Sequence, residues 1–343
     1  ISNTFAGKLQ KKNQMKRVLG FGNALVDALT RVEDDTILEA LQLPKGSMQL
    51  IDAERYRYIS DQLAKMETTR ATGGSACNTI LALGHLGMQP GVVGKVGDDD
   101  NGRFFEATCR RHSIRPMLLR SEKATGVAST FISPDGQRTF GTYLGAAEEM
   151  CAEEIHEALL DAYDYVYIEG YLVQNHDLLR RIVAVAKAKG TPICLDLASY
   201  NIVAGEIAFF TELLPNVDIL FANQQEAEAF TGEGDPEAAL LKLGEICRTV
   251  VVKTGGSGAR AKRGAEVVNV AARPVKQVLD TTGAGDFFAA GFLYGLSKGC
   301  DLAECVYKGT VLAAYVIEVA GTHLPEETWD AIRTEINAAR PVA

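Results

Sequence analysis

The chain has 343 residues, 47% of them hydrophobic and 23% charged, which is enough apolar material for a full globular core. A formal net charge of −9 with no long run of like charge argues against a nucleic-acid partner, and no uninterrupted apolar stretch reaches the roughly 20 residues of a membrane span. Seven scattered cysteines, at 77, 109, 151, 194, 247, 300 and 305, contain no Cys-x-x-Cys pair and read as reduced thiols of a cytoplasmic protein.

The elements follow in chain order. Residues 1–14 are polar and precede Met15, so we expect a vector remnant or a disordered leader outside the fold. Strands are predicted at Arg17–Gly22, Gly91–Val96, Tyr163–Glu169, Pro192–Leu197, Val217–Asn223 and Thr249–Thr254. Helices are predicted between them, among others at Ala76–Leu86, His176–Lys189 and Pro236–Cys247. This alternation predicts a three-layer α/β/α fold with a mainly parallel sheet. Two regions break the rhythm. Residues 28–51 show no clean order, and 125–143 reads as a hairpin around Ser133-Pro134-Asp135-Gly136. We expect these two excursions to pair as a small β lid on a single domain spanning 15–343.

Several segments carry chemistry. Asp280-Thr281-Thr282-Gly283-Ala284-Gly285-Asp286 runs directly into an apolar helical stretch. Gly283, Ala284 and Gly285 would expose backbone N–H groups at a helix N-terminus, an anion cradle. Asp286 at its lip could act as a general base, although an acid in a first helical turn also serves simply as a cap. Gly73-Gly74-Ser75-Ala76-Cys77-Asn78 is a second glycine turn, and Asn78 is an unfavourable residue inside a helix unless it has a partner. Asp27, just past the first strand, could grip two sugar hydroxyls or stand solvated. Asn223 and Glu226 follow a strand and suit either Mg²⁺ or a capping box. Lys253, Thr254, Gly255, Gly256 and Gly258 form a strand end and loop that could wrap a nucleotide or merely turn between strands. Gly20-Phe21-Gly22-Asn23-Ala24-Leu25 imitates a dinucleotide fingerprint, but Leu25 replaces the third small residue. Gly94-Lys95 lacks the spacing of a P-loop.

Taken together, these segments resemble the ribokinase-like (PfkB) family of carbohydrate and nucleoside kinases. Gly73–Asn78 is similar to that family's N-terminal signature, Asp280–Asp286 to its C-terminal one, and Asn223–Glu226 to its Asn-x-x-Glu motif. Tyr167–Leu172, Asp218–Asn223 and Thr142–Ala147 are similar to stretches of adenosine kinases and their bacterial relatives. Leu195-Asp196-Leu197-Ala198-Ser199 departs from the Asn-Pro segment of many sugar kinases. The resemblance implies ATP-dependent phosphorylation of a primary hydroxyl, with adenosine as the leading acceptor and ribose, fructose or a ketogluconate as the alternative. Non-catalytic ligand binding on the same fold is the reading from another class. The resemblance also implies roles for single residues. Asp286 would be the base, Gly283–Gly285 the anion hole, and Arg138 a lid residue on the transferred phosphate. Asp27, Gly74 and Asn78 would bind the sugar. Lys253, Thr254, Gly255, Gly256 and Gly258 would lie along ATP, and Asn223 and Glu226 would serve Mg²⁺. A monovalent cation (K⁺) beside Asp280 and Thr282 occurs in parts of the family. We expect a monomer or homodimer with a small-molecule substrate, no nucleic acid and no membrane.

Overall fold

The computed structural model describes residues 15–338. The expected leader, 1–14, lies outside the described residues. A nine-stranded sheet forms the body. From edge to edge its strands are Glu266–Val270, Ala259–Arg263, Thr249–Lys253, Ile219–Asn223, Ile193–Asp196, Tyr165–Glu169, Val18–Phe21, Gly91–Gly97 and Arg115–Ser121. Seven run parallel, and the first two in this order are antiparallel additions. Their central residues, such as Leu19, Val166, Leu195, Leu220 and Val251, are fully buried, as strands covered on both faces must be. Two large apolar clusters, one on each face, make up the core.

All six sequence-predicted strands belong to this sheet. Strands Arg115–Ser121 and Glu266–Val270 lie at the two edges, and Ala259–Arg263 alternates two alanines with three basic residues, so they gave no clear apolar signal. The glycines of the false dinucleotide fingerprint have a packing role. A side chain on Gly20 would meet Ile80 at 2.5 Å, and one on Gly22 would meet Ala76 at 2.6 Å. They let the helix Ser75–His85 lie close on the strand Val18–Phe21.

A second, five-stranded sheet stands over the strand ends, in the order Met48–Leu50, Arg138–Gly145, Thr125–Ile132, Leu25–Arg31, Thr68–Gly73. The hairpin Thr125–Ile132/Arg138–Gly145 turns through Ser133–Gln137, where Gly136 takes φ +83° and donates its N–H to the Ser133 carbonyl. The lid is larger than 28–51 plus 125–143. It also takes in Leu25–Asp27, the helix Ala53–Leu63 and the strand Thr68–Gly73. Its small core joins Ile59, Leu38, Phe131 and Val127. Thr68–Gly73 reads Thr-Thr-Arg-Ala-Thr-Gly and buries only its last two residues, which is why its sequence carries no apolar alternation.

Candidate active site

The glycine turn opens a helix. Gly283 holds φ +76°, and a side chain there would strike Thr322 at 2.5 Å. The helix Ala284–Ser297 begins at the next residue, so its first N–H groups have no intrahelical partner and its positive end faces the cleft. Asp280 pins the turn: one oxygen accepts from the backbone N–H and the hydroxyl of Thr282, the other from the Gly321 N–H at 2.7 Å.

Asp286 lies in the first turn of that helix. Its two oxygens accept from the Ser75 hydroxyl at 2.7 Å and the Asn78 amide at 2.9 Å. Burial pushes its carboxyl up to about 6, the two hydrogen bonds oppose that rise, and the nearby charge of Asp196 adds to it. Ser75 and Asn78 sit three apart on the helix Ser75–His85 and so share a face. That helix starts at Gly74, whose φ of +96° suits only glycine and whose absent side chain would meet the Asn23 carbonyl at 2.0 Å. Asn78 therefore braces the Asp286 carboxylate, and its oxygen lies 3.4 Å from the Thr322 hydroxyl.

Glu169 fastens this region from below. It accepts from the Asn23 backbone and side-chain N–H groups at 2.9 and 2.7 Å, and from the Ala76 N–H at 2.8 Å. Burial pushes it up to about 7 against those three donors. Glu169, Ser75 and Asp196 were not singled out from sequence. Glu169 and Asp196 each end a buried strand, and an acid closing an apolar run was the signal available.

Across the glycine turn, Lys253 reaches back to Asp196 at 2.8 Å, both side chains nearly buried. A side chain on Gly285 would meet the Lys253 ammonium at 3.0 Å, so the lysine abuts the glycine turn. Thr254–Gly258 is a tight connection between antiparallel strands. Thr254 donates twice to the Gly258 carbonyl, and Gly258 fits against the Val270 carbonyl with φ +99°. Gly255 and Gly256 are exposed with open space beside them, so the turn and nucleotide readings coexist at this loop.

Asn223 and Glu226 form the capping box in full. The Asn223 oxygen accepts from the Glu226 N–H at 2.9 Å, and the Glu226 carboxylate accepts from the Asn223 N–H at 2.7 Å and from its amide at 2.6 Å. Burial lifts Glu226 to about 7 against the pull of Lys253. Among the described residues no group of three or more His, Cys, Asp or Glu gathers as a metal site. Three carboxylates, Asp196, Glu226 and Asp286, nonetheless act on the single ammonium of Lys253. That negative excess fits a cation held mainly by nucleotide phosphates.

The lid supplies Asp27 and Arg138. Asp27 is inside the lid strand Leu25–Arg31, paired with Ala71 and Ala128, and not in a loop past the first strand. Its side chain packs on the backbone of Gly73, where a methyl group would fall 2.2 Å from an Asp27 oxygen. Burial pushes Asp27 up to about 7; Arg138 lowers it and Asp286 raises it, so all three share one cleft. Arg138 lies 3.0 Å from Asp280, both side chains buried, in a charge contact that is not aligned as a hydrogen bond. With both Asp280 oxygens taken by protein donors and this guanidinium alongside, the residues here do not fit a monovalent cation at Asp280. Phe131 is fully buried in the lid core and cannot face a substrate, whereas Leu50 is exposed and Leu144 lines a cavity. This cavity, of about 640 Å³, opens between Leu144, Met150, Tyr171, Leu172, Asn23 and His176, is also lined by Glu148, Asp177 and Arg180, and is bordered by none of Asp27, Asn78, Arg138, Lys253 and Asp286.

Residues 45–329 match the family described as pfkB family carbohydrate kinase. The chain belongs to that family. It is a sugar or nucleoside kinase, and the family implies ATP as phosphoryl donor. The kinase is 30% identical to an adenosine kinase of Schizophyllum commune, over 91% of this chain and 97% of the relative. It is also 30% identical to a fructoselysine 6-kinase of Shigella flexneri, over 73% of this chain and 91% of the relative. Among solved structures, the adenosine kinase of Sinorhizobium meliloti superposes with a TM-score of 0.83 at 35% identity, covering 94% of this chain and 99% of that one. No helix among the described residues is long and apolar enough to cross a membrane.

Proposed function

We propose that this kinase phosphorylates the primary hydroxyl of a ribonucleoside, with adenosine as the leading acceptor. The observation that carries the proposal is the Asp286 carboxylate, buried at the head of an anion-binding turn and aligned by Ser75 and Asn78. A hydroxyl placed beside it would lose its proton to Asp286 as its oxygen attacks the terminal phosphorus of ATP and ADP leaves. Phosphoryl transfer needs little covalent help, so position and charge account for most of the acceleration. The N–H groups after Gly283 and the Lys253 ammonium would carry the negative charge that spreads over the phosphoryl oxygens. Lys253, Thr254, Gly255, Gly256 and Gly258 would border the nucleotide. Asn223 and Glu226 would hold Mg²⁺ through its waters, and the ion would offset phosphate charge. Arg138 would leave Asp280 for the transferred phosphate when the lid moves.

Asp27 would take the two ring hydroxyls, with Gly74 admitting the sugar to close backbone approach. The apolar wall of Leu144, Met150, Tyr171 and Leu172 supports a flat base beyond the sugar, as do the Schizophyllum and Sinorhizobium adenosine kinases. A free-sugar acceptor is the second reading, favoured by the fructoselysine 6-kinase relative and by Asn23, Gln174 and Asn175 in the same cavity wall. Titration calorimetry separates the two. Heat with adenosine, and less with 2′-deoxyadenosine because Asp27 loses a hydroxyl, is the expected result. Heat with ribose, fructose or a ketogluconate and none with adenosine would discard the nucleoside and leave the kinase.

A further inference from the structure

Behind the base-bearing helix lies a cavity that the phosphoryl-transfer reading does not use. It measures about 250 Å³ and is enclosed by four helices, the lid strand Thr68–Gly73 and the segment Thr322–Leu324. Phe287 faces it while its neighbour Asp286 faces Ser75 and Asn78, because adjacent helical residues point about 100° apart. The catalytic cleft and this cavity are thus on different sides of one helix.

Its walls are apolar and aromatic. The Trp329 and His85 rings stack at 4.5 Å with 4° between planes, and Phe287 lies 5.7 Å from Trp329. Two wall residues bury a polar atom with no partner: the Trp329 indole N–H and the Thr108 hydroxyl, in residues only 1% and 8% exposed. Buried donors left unmet are rare and call for a missing partner. The charged lining is cationic. Among the described residues neither Arg111 nor Arg70 pairs with a carboxylate; Arg70 donates to Asn101 and lies over the Phe104 ring. His112 and His323 add two imidazoles. Glu326 is 3.8 Å from His85 and, like Asp330, is already bound by Arg333. In this array of cations His85 is held neutral: burial and then His112 depress it to about 4. In a protein of net charge −9 such a lining has no need of another cation.

We propose that this cavity is a second small-molecule site, for a compact organic anion: one flat apolar ring carrying a carboxylate or a phosphate. The ring would fill the slot beside Trp329 and Phe287. The anionic group would meet Arg70 and Arg111 at the mouth, which suits guanidinium forks.

Trp329 is the single tryptophan of the chain, so its fluorescence reports on this cavity directly. The whole kinase is titrated with phenyl phosphate and with benzoate, with inorganic phosphate at matched ionic strength as control. The expected result is a saturable change with at least one ring compound, persisting with adenosine and ATP both present in excess. Inorganic phosphate should need roughly tenfold more, since it fills none of the apolar wall. Arg70→Ala with Arg111→Ala, both on exposed positions, should weaken binding about tenfold or more while leaving kinase activity in place. Thr108→Val, nearly isosteric, should weaken it by a smaller factor. Absence of saturation with both ring compounds overturns the site. So does a signal displaced by adenosine or ATP, or one undiminished in the double arginine variant.

Discussion

At the scale of single residues, the site is a set of carboxylates whose burial and partners give them different tasks. Asp286 sits near 6 because burial outweighs its two hydrogen bonds. In its proposed role as base it must be ionised, so kcat/KM should rise about tenfold per pH unit below 6 and flatten above it. Asp286→Asn should lower kcat by roughly two to four orders of magnitude and leave ATP affinity nearly unchanged. A variant that kept its turnover would remove Asp286 from the mechanism. Glu169 has another task, since its three hydrogen-bond partners are all donors. Glu169→Gln would turn an amide N–H toward a backbone N–H, so we expect a loss of about 1–3 kcal/mol in denaturant unfolding. Sequence pointed to Asp286 through its glycine turn. It could not point to Glu169, whose donors stand 146 and 93 residues away.

At the scale of elements, two helix starts meet. The turn at Gly74 sets Ser75 and Asn78, and the turn at Gly283 sets Asp286, so that carboxylate is held between two helix N-termini. Gly74→Ala forces both a left-handed φ and a contact at 2.0 Å with the Asn23 carbonyl. It should weaken acceptor binding and lower Tm, and calorimetry with thermal melting reads both. The helix Gln224–Thr231 tests the capping and metal readings of one motif. Glu226→Gln should cost about 1 kcal/mol in stability through the lost cap. It should also raise the Mg²⁺ needed for half-maximal rate. A stability loss with unchanged Mg²⁺ dependence would leave Asn223 and Glu226 as a cap alone.

At the scale of the whole molecule, the site collects acids that the unfolded chain would ionise more easily. Asp27, Glu169 and Glu226 each stand near 7 in the fold, above the ordinary carboxylate range. Their contribution to stability is complete below about pH 4 and is lost as pH rises through 7. His85, depressed to about 4, acts in the opposite sense, but only between its folded value and about 6.5. From pH 6.5 to 8 the carboxylates act without that opposition, and Tm of the unliganded kinase should fall by roughly 2–5 °C. A flat or rising Tm across that window would contradict the burial assigned to them.

The sequence by itself determined the α/β class, the parallel body strands, the hairpin of the lid and the family, because each rests on local pattern: apolar runs bounded by turns, an Asp-Gly corner, and signatures of six or seven adjacent residues. It also placed Asp286 and its glycine turn. Only the tertiary structure decided that Asp27 lies within a lid strand, that Phe131 is lid core, that Arg138 rests on Asp280, and that Ser75 and Asn78 hold the Asp286 carboxylate. Those relations join residues from tens to more than two hundred positions apart. Whether a polar side chain meets solvent, substrate or another side chain is set by which surfaces the fold brings together, and no local pattern in the chain encodes that meeting.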